Sequence, residues 1–156
     1  MNIRPFDLSD KPGIIKILSQ TNAYHAGLQP DVFNVLPPES LLPEGWLEEI
    51  YVSETRNIFL GVQGEEIIGL VQFAILETDD ELEKIKKWVH INEIVVSEAH
   101  RGTGAGRKLI EAVEQFAKKN GAKRMQLEVW ENNESAIRFY ERSGFERKKH
   151  EYWKSI

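Results

Sequence analysis

Apolar residues recur along the chain at two spacings, and the changes between them mark out the elements. Ile3 to Phe6 predicts a short first strand. Ser9 is placed to cap a helix, Pro12 falls in its first turn, and Ile14, Ile15, Ile17 and Leu18 form an apolar stripe ending near Thr21. From Asn22 to Gly45 the pattern dissolves, with Pro30, Pro37, Pro38 and Pro43 set among Tyr24, His25, Phe33 and Leu36. Long irregular stretches are uncommon in small domains and often shape a binding site. Trp46, Leu47, Ile50 and Tyr51 return to helical spacing.

Two strands follow, Ile58 to Gln63 and Ile67 to Leu76, joined at Gly64-Glu65 as a tight hairpin. The charged run from Glu77 to Lys87 reads as a solvated hairpin tip. Between Trp88 and Val96 the apolar positions are first odd (Val89, Ile91) and then run together at Ile94, Val95 and Val96. A break of phase in a strand is the mark of a β-bulge, here near Asn92 and Glu93. After a glycine-rich loop, Leu109, Val113, Phe116 and Ala117 line one face of a helix that ends at Gly121. Met125, Leu127 and Val129 alternate as a strand over 124–130. Asn133 caps a helix carrying Ala136, Ile137, Phe139 and Tyr140 and ending at Gly144, and Phe145 to Trp153 reads as one or two final strands. The expected fold is α+β: a mixed, mostly antiparallel sheet flanked by helices, in one domain over residues 1–156.

Composition narrows the classes. With 41% hydrophobic and 29% charged residues over 156 positions, the chain has the make-up of a globular domain. Its net charge of -5 argues against non-specific binding to nucleic acid. The absence of cysteine excludes disulfides, thiolate metal sites and a cysteine nucleophile. The first ten residues lack the apolar core of a signal peptide, and the longest apolar run is about half a membrane span. A cytoplasmic enzyme or binding domain, with no membrane or nucleic-acid partner, is the expectation.

The chemistry gathers at Glu93–Leu109, EIVVSEAHRGTGAGRKL, where a strand feeds a glycine-rich loop and then a helix. That order points backbone N–H groups at one spot before a helix N-terminus and suits an anion, most often a phosphate. A Walker loop needs Gly-Lys-Ser/Thr, but Gly106 is followed by Arg107 and Lys108. A dinucleotide fingerprint needs glycine at position 107, which is arginine.

Arg101-Gly102-Thr103-Gly104-Ala105-Gly106 resembles the R-x-x-G-x-G/A loop of the GNAT superfamily of N-acetyltransferases. Asn133, Ala136, Tyr140, Gly144 and Phe145 are similar to its N-x-x-A…Y…G-F segment, and the close resemblance covers about residues 88–147. It implies acetyl-CoA as donor and no metal. The pyrophosphate would rest on the backbone of Arg101 to Gly106, with Arg107 adding charge, and the pantetheine arm along Ile94, Val95 and Val96. Asn133 would double as helix cap and contact to that arm. The sheet would splay between the strands at 88–96 and 124–130.

The implied activity is acetyl transfer to a primary amine of a small molecule or peptide, by direct attack in a ternary complex. An alkylamine with a pKa of about 10.4 is neutral in only about one molecule in 2,500 at pH 7, so a base is required. The resemblance places Tyr140 as proton donor to the leaving sulfur. Glu93 is the carboxylate near the bulge, although the family's usual phase would put the acid at Asn92. Tyr24, His25 and His90 are acceptor-pocket candidates with ordinary packing as the competing reading, and Tyr152-Trp153 reads as a core or homodimer contact. The alternatives are a non-catalytic acyl-CoA-binding or sensing module and a nucleotide-binding regulator.

Overall fold

Residues 1–156 are described by a computed structural model. Side-chain alternation in its long strands builds two cores, one on each face of a single sheet. The strands are β1 (Asn2–Pro5), β2 (Arg56–Gln63), β3 (Glu66–Glu77), β4 (Lys87–Val96) and β5 (Met125–Gln126), and they lie in that order across the sheet. The first four are antiparallel neighbours, and β5 joins β4 in parallel. Helices α1 (Lys11–Leu28) and α2 (Trp46–Tyr51) cover one face, where Ile14, Ile17, Leu47 and Ile50 bury against Ile58, Leu60, Leu70 and Val95. Helix α3 (Ala105–Lys119) covers the other, packing Leu109, Ile110 and Val113 on Val71, Phe73, Val89 and Ile91. Helix α4 (Glu134–Arg142) packs Phe139 at the edge of that second core. Phe59, Phe73 and Phe116 meet edge to face at 5.0–5.6 Å, and such pairs add about 0.5–1.5 kcal/mol each beyond area burial. The expected α+β architecture is the one adopted.

The bulge falls where the pattern breaks. Gln72 pairs with Glu93 and Phe73 with Ile91, so Asn92 has no partner. The extra residue reverses the phase of β4. Val89 and Ile91, then Ile94 and Val96, face α3, whereas Val95 is buried among α1 and α2.

Several expectations need correction. Ser9 caps nothing: Asp7 caps a 3-10 turn by accepting from the Ser9 N–H, and Asp10 returns a bond to the Asp7 N–H. Asp10 also holds Arg4 by two hydrogen bonds of 2.7 and 2.8 Å. Next, α1 runs on to Leu28 rather than ending near Thr21. Its last two turns bury only Thr21 and Ala26 and are held by polar contacts to distant loops, which leave no apolar stripe to read. Finally, Phe145 to Trp153 forms no strand. Glu146 to Glu151 is a polar run without an apolar face, and only Phe145 packs on the core, while Trp153 rests edge-on against Trp130 at 5.3 Å. The strand expected over 124–130 pairs only at Met125 and Gln126.

Candidate active site

Two surfaces meet at the bulge. On one side, β4 and β5 pair only at Val89–Met125 and His90–Gln126. From Ile91 onward the β4 edge facing β5 carries no strand, and its backbone groups are open to a ligand. The splay expected between these strands is therefore present, beginning one residue before the bulged Asn92. Ile94 and Val96 flank this edge with partly exposed side chains, while Val95 turns into the core and can offer only its backbone.

The glycine loop lies at the end of this edge. Gly104 caps α3 with φ +86°, a left-handed conformation that a side chain would strain. Gly106 is needed for a different reason: a Cβ there would come within 3.1 Å of the Phe139 ring. The backbone N–H groups from Gly102 to Arg107 donate to no acceptor within the chain. They front the N-terminus of a 15-residue helix, which adds roughly half a positive charge. The loop is braced from outside, since Thr103 Oγ1 donates to the His100 carbonyl at 2.7 Å. Arg101 lies exposed over the Tyr24 ring, its guanidinium carbon 5.5 Å from the centroid. Arg107 is exposed and engages Glu111. Ala105 is buried and anchors the helix start. Free donors, a close-approach glycine and an open strand edge suit a pyrophosphate joined to an extended amide-bearing arm.

Asn133 lies across from this edge and is 6% exposed. Its Oδ1 accepts from the Ala136 N–H, Ser135 Oγ and Tyr24 Oη at 3.1–3.2 Å. The carbonyl end is saturated, so the Nδ2 hydrogens are what it has left to donate. Tyr24 therefore ties α1 to the start of α4, and Gln29 and Asn132 repeat the tie through Gln29 Nε2 to Asn132 Oδ1 and Asn132 Nδ2 to the Leu28 carbonyl.

On the other face, β4 forms the floor of a cavity of about 300 Å³ between α1, α2 and the 29–45 loop. Glu93 opens into it, delivered there by the bulge; in unbroken phase Asn92 would take its place. Burial pushes the Glu93 carboxyl up to about 7. Tyr140 is packed between Phe139 and Phe145, at 5.3 and 5.8 Å. Burial first, and then the charge of nearby Glu93, raise its phenol to about 12. One carboxyl is thus poised to exchange a proton at neutral pH, beside one phenol that keeps its own.

Of the histidines considered, His25 lines the cavity and packs against Phe33, and burial lowers its pKa. His90 does not; it sits on Gln126 at the last β4–β5 pair. Gln72, Thr21 and Trp46 also face the cavity and were not foreseen. Gln72 had one signal, its place opposite Glu93 on the neighbouring strand. Asn22 holds the loop against α1 by accepting from the Leu36 N–H and donating to the Asn34 carbonyl.

Against known proteins, the profile of the acetyltransferase (GNAT) family matches residues 25–145. The chain belongs to the GNAT family. A spermine/spermidine N(1)-acetyltransferase of Bacillus subtilis is 30% identical over 82 residues, 52% of this chain and 53% of that protein. The chain thus spans about half the length of that relative, and as little as 22% of another. Among solved structures, the BH1408 protein of Bacillus halodurans superposes with a TM-score of 0.86 at 24% identity, over 100% of both chains. Aminoglycoside N-acetyltransferase AAC(6')-Iy, solved in complex with CoA, superposes at 0.78 with 19% identity, over 99% of this chain and 93% of that one. These likenesses establish a shared GNAT fold. No helix is long and apolar enough to cross a membrane.

Proposed function

We propose that residues 1–156 act as one N-acetyltransferase domain that moves an acetyl group from acetyl-CoA to a primary amine by direct attack in a ternary complex. The observation that carries this reading is the geometry around the bulge: unpaired N–H groups from Gly102 to Arg107 at the end of the open β4 edge on one side, and the Glu93 carboxyl on the floor of a cavity on the other, with Tyr140 near enough to feel its charge. Acetyl-CoA, when bound, supplies an acyl carbon activated as a thioester. The N–H groups of Gly102 to Arg107 would hold its pyrophosphate, with Arg101 and Arg107 adding charge. The β4 edge at Ile94, Val95 and Val96 and the free Nδ2 of Asn133 would hold its arm. The CoA-bound aminoglycoside N-acetyltransferase of the same fold supports this assignment of the donor.

Glu93 takes a proton from the acceptor's ammonium and so frees the lone pair that attacks. As the carbon–nitrogen bond forms and the carbon–sulfur bond breaks, Tyr140 donates its O–H proton towards the leaving sulfur. The phenol is reprotonated by the proton that the new amide nitrogen sheds. The products are an N-acetyl amine and CoA thiol, with one proton released overall. Relatives named for polyamine and aminoglycoside acetylation support a small-molecule amine as acceptor. Following CoA thiol release from acetyl-CoA over a panel of amines tests the proposal. Release with at least one amine is expected; CoA binding without release from any of them would leave a non-catalytic module instead.

A further inference from the structure

The cavity's lining is unlike what a polycation would require. Glu93 is the one carboxylate among the lining residues, and no Lys or Arg is among them. Burial disfavours the charged form of His25. The remaining walls are mainly apolar, with Leu18, Leu36, Leu42 and Trp46 facing Ile58 and Leu70. Of the polar side chains, Asn22 is already spent on the loop backbone at both ends of its amide. The volume of about 300 Å³ is at the small end of ligand sites, which run from about 300 to 1,000 Å³.

From this geometry we infer that the acceptor is a primary monoamine with a single apolar, aromatic-sized body, an arylalkylamine, and not a polyamine, an aminoglycoside or a free amino acid. The inference rests on the acetyltransferase reading above and narrows it. One ammonium finds one carboxylate at Glu93, and the ring lies among leucines beside the Trp46 indole. A second or third ammonium inside the cavity would be set against Leu42, Ile58 or Trp46 with no counter-charge, and a buried unpaired cation is strongly disfavoured. An amino acid's carboxylate would likewise find no cation.

The test compares phenethylamine, spermidine, kanamycin and phenylalanine as acceptors with acetyl-CoA, alongside amine binding read from tryptophan fluorescence with Trp46→Phe as control. Expected is a kcat/KM for phenethylamine at least tenfold above each of the other three. Equal or better turnover of spermidine, kanamycin or phenylalanine overturns the inference and leaves the acetyltransferase reading in place. Binding of phenethylamine through the Trp46 signal without turnover of any amine overturns the acetyltransferase reading, and the acceptor assignment with it, and leaves only an arylalkylamine-binding cavity. The variant Leu36→Glu adds a carboxylate at a rim position that is 43% exposed and so tolerates charge. It should move the spermidine-to-phenethylamine ratio at least tenfold towards spermidine without changing CoA affinity. An unchanged ratio, with CoA still bound, counts against this acceptor cavity.

Discussion

At the scale of single residues, Glu93 is held where its charge is costly. Burial alone raises its pKa from 4.5 to about 7, with no donor or cation in the chain to offset it. A carboxyl with a raised folded pKa holds its proton better folded than unfolded. Its penalty is absent below about 4.5, and stability is lost as pH rises from there to about 7. Glu93→Gln should therefore raise the melting temperature at pH 8, by up to roughly 3 kcal/mol of stability, and leave it little changed at pH 4. The same variant should lower kcat by roughly 10²-fold or more. In the unsubstituted protein, the proposed activity should show a kcat/KM that climbs with pH and levels off above a midpoint near 7. A flat profile from pH 5.5 to 8.5 would assign proton removal to something else. Tyr140→Phe should cut kcat by roughly 10²-fold while CoA affinity, read by calorimetry, changes less than about twofold. Equal loss in both would give Tyr140 a packing role instead. Glu93 was visible in the sequence because a bulge leaves a local trace, the switch from odd to even apolar positions. Its raised pKa was not, because that depends on walls contributed by residues 14–46.

At the scale of elements, the loop and the two helix starts it serves were legible because capping chemistry is local. Asn133 accepts from the Ala136 N–H, three residues ahead, as an N-cap does. Gly104 precedes α3 in the left-handed region. Gly104→Val should cost about 1–2 kcal/mol of stability through that backbone strain. It should also weaken CoA binding by at least tenfold, since the same residue aims the free N–H groups; a variant binding CoA normally would detach the loop from the donor. The end of α1 was hidden for the opposite reason. Residues 22–28 stay helical because Asn22 and Tyr24 bond to groups 12 to 111 positions away, and no local pattern encodes such partners. The final strands failed in the other direction: aromatic residues near the C-terminus suggest a strand, but the polar run at 146–151 offers no face to bury.

At the scale of the whole molecule, the sheet divides the labour. On the proposed reading, the α3 side and the open β4 edge take the donor, the α1–α2 side takes the acceptor, and the bulge lets one strand serve both. The two halves are not independent. Tyr24 rises from the helix that walls the acceptor cavity, lies beneath Arg101, and bonds to Asn133 on the donor side. Through such a tether, the proposed donor and acceptor affinities would be linked. If filling the donor site steadies Asn133, it steadies the end of α1 as well. Whatever factor CoA contributes to acceptor affinity, the acceptor must return to CoA. Titrating each ligand in the presence and absence of the other should give matching factors. Tyr24→Phe, which keeps the ring and deletes the bond, should pull both factors towards one together.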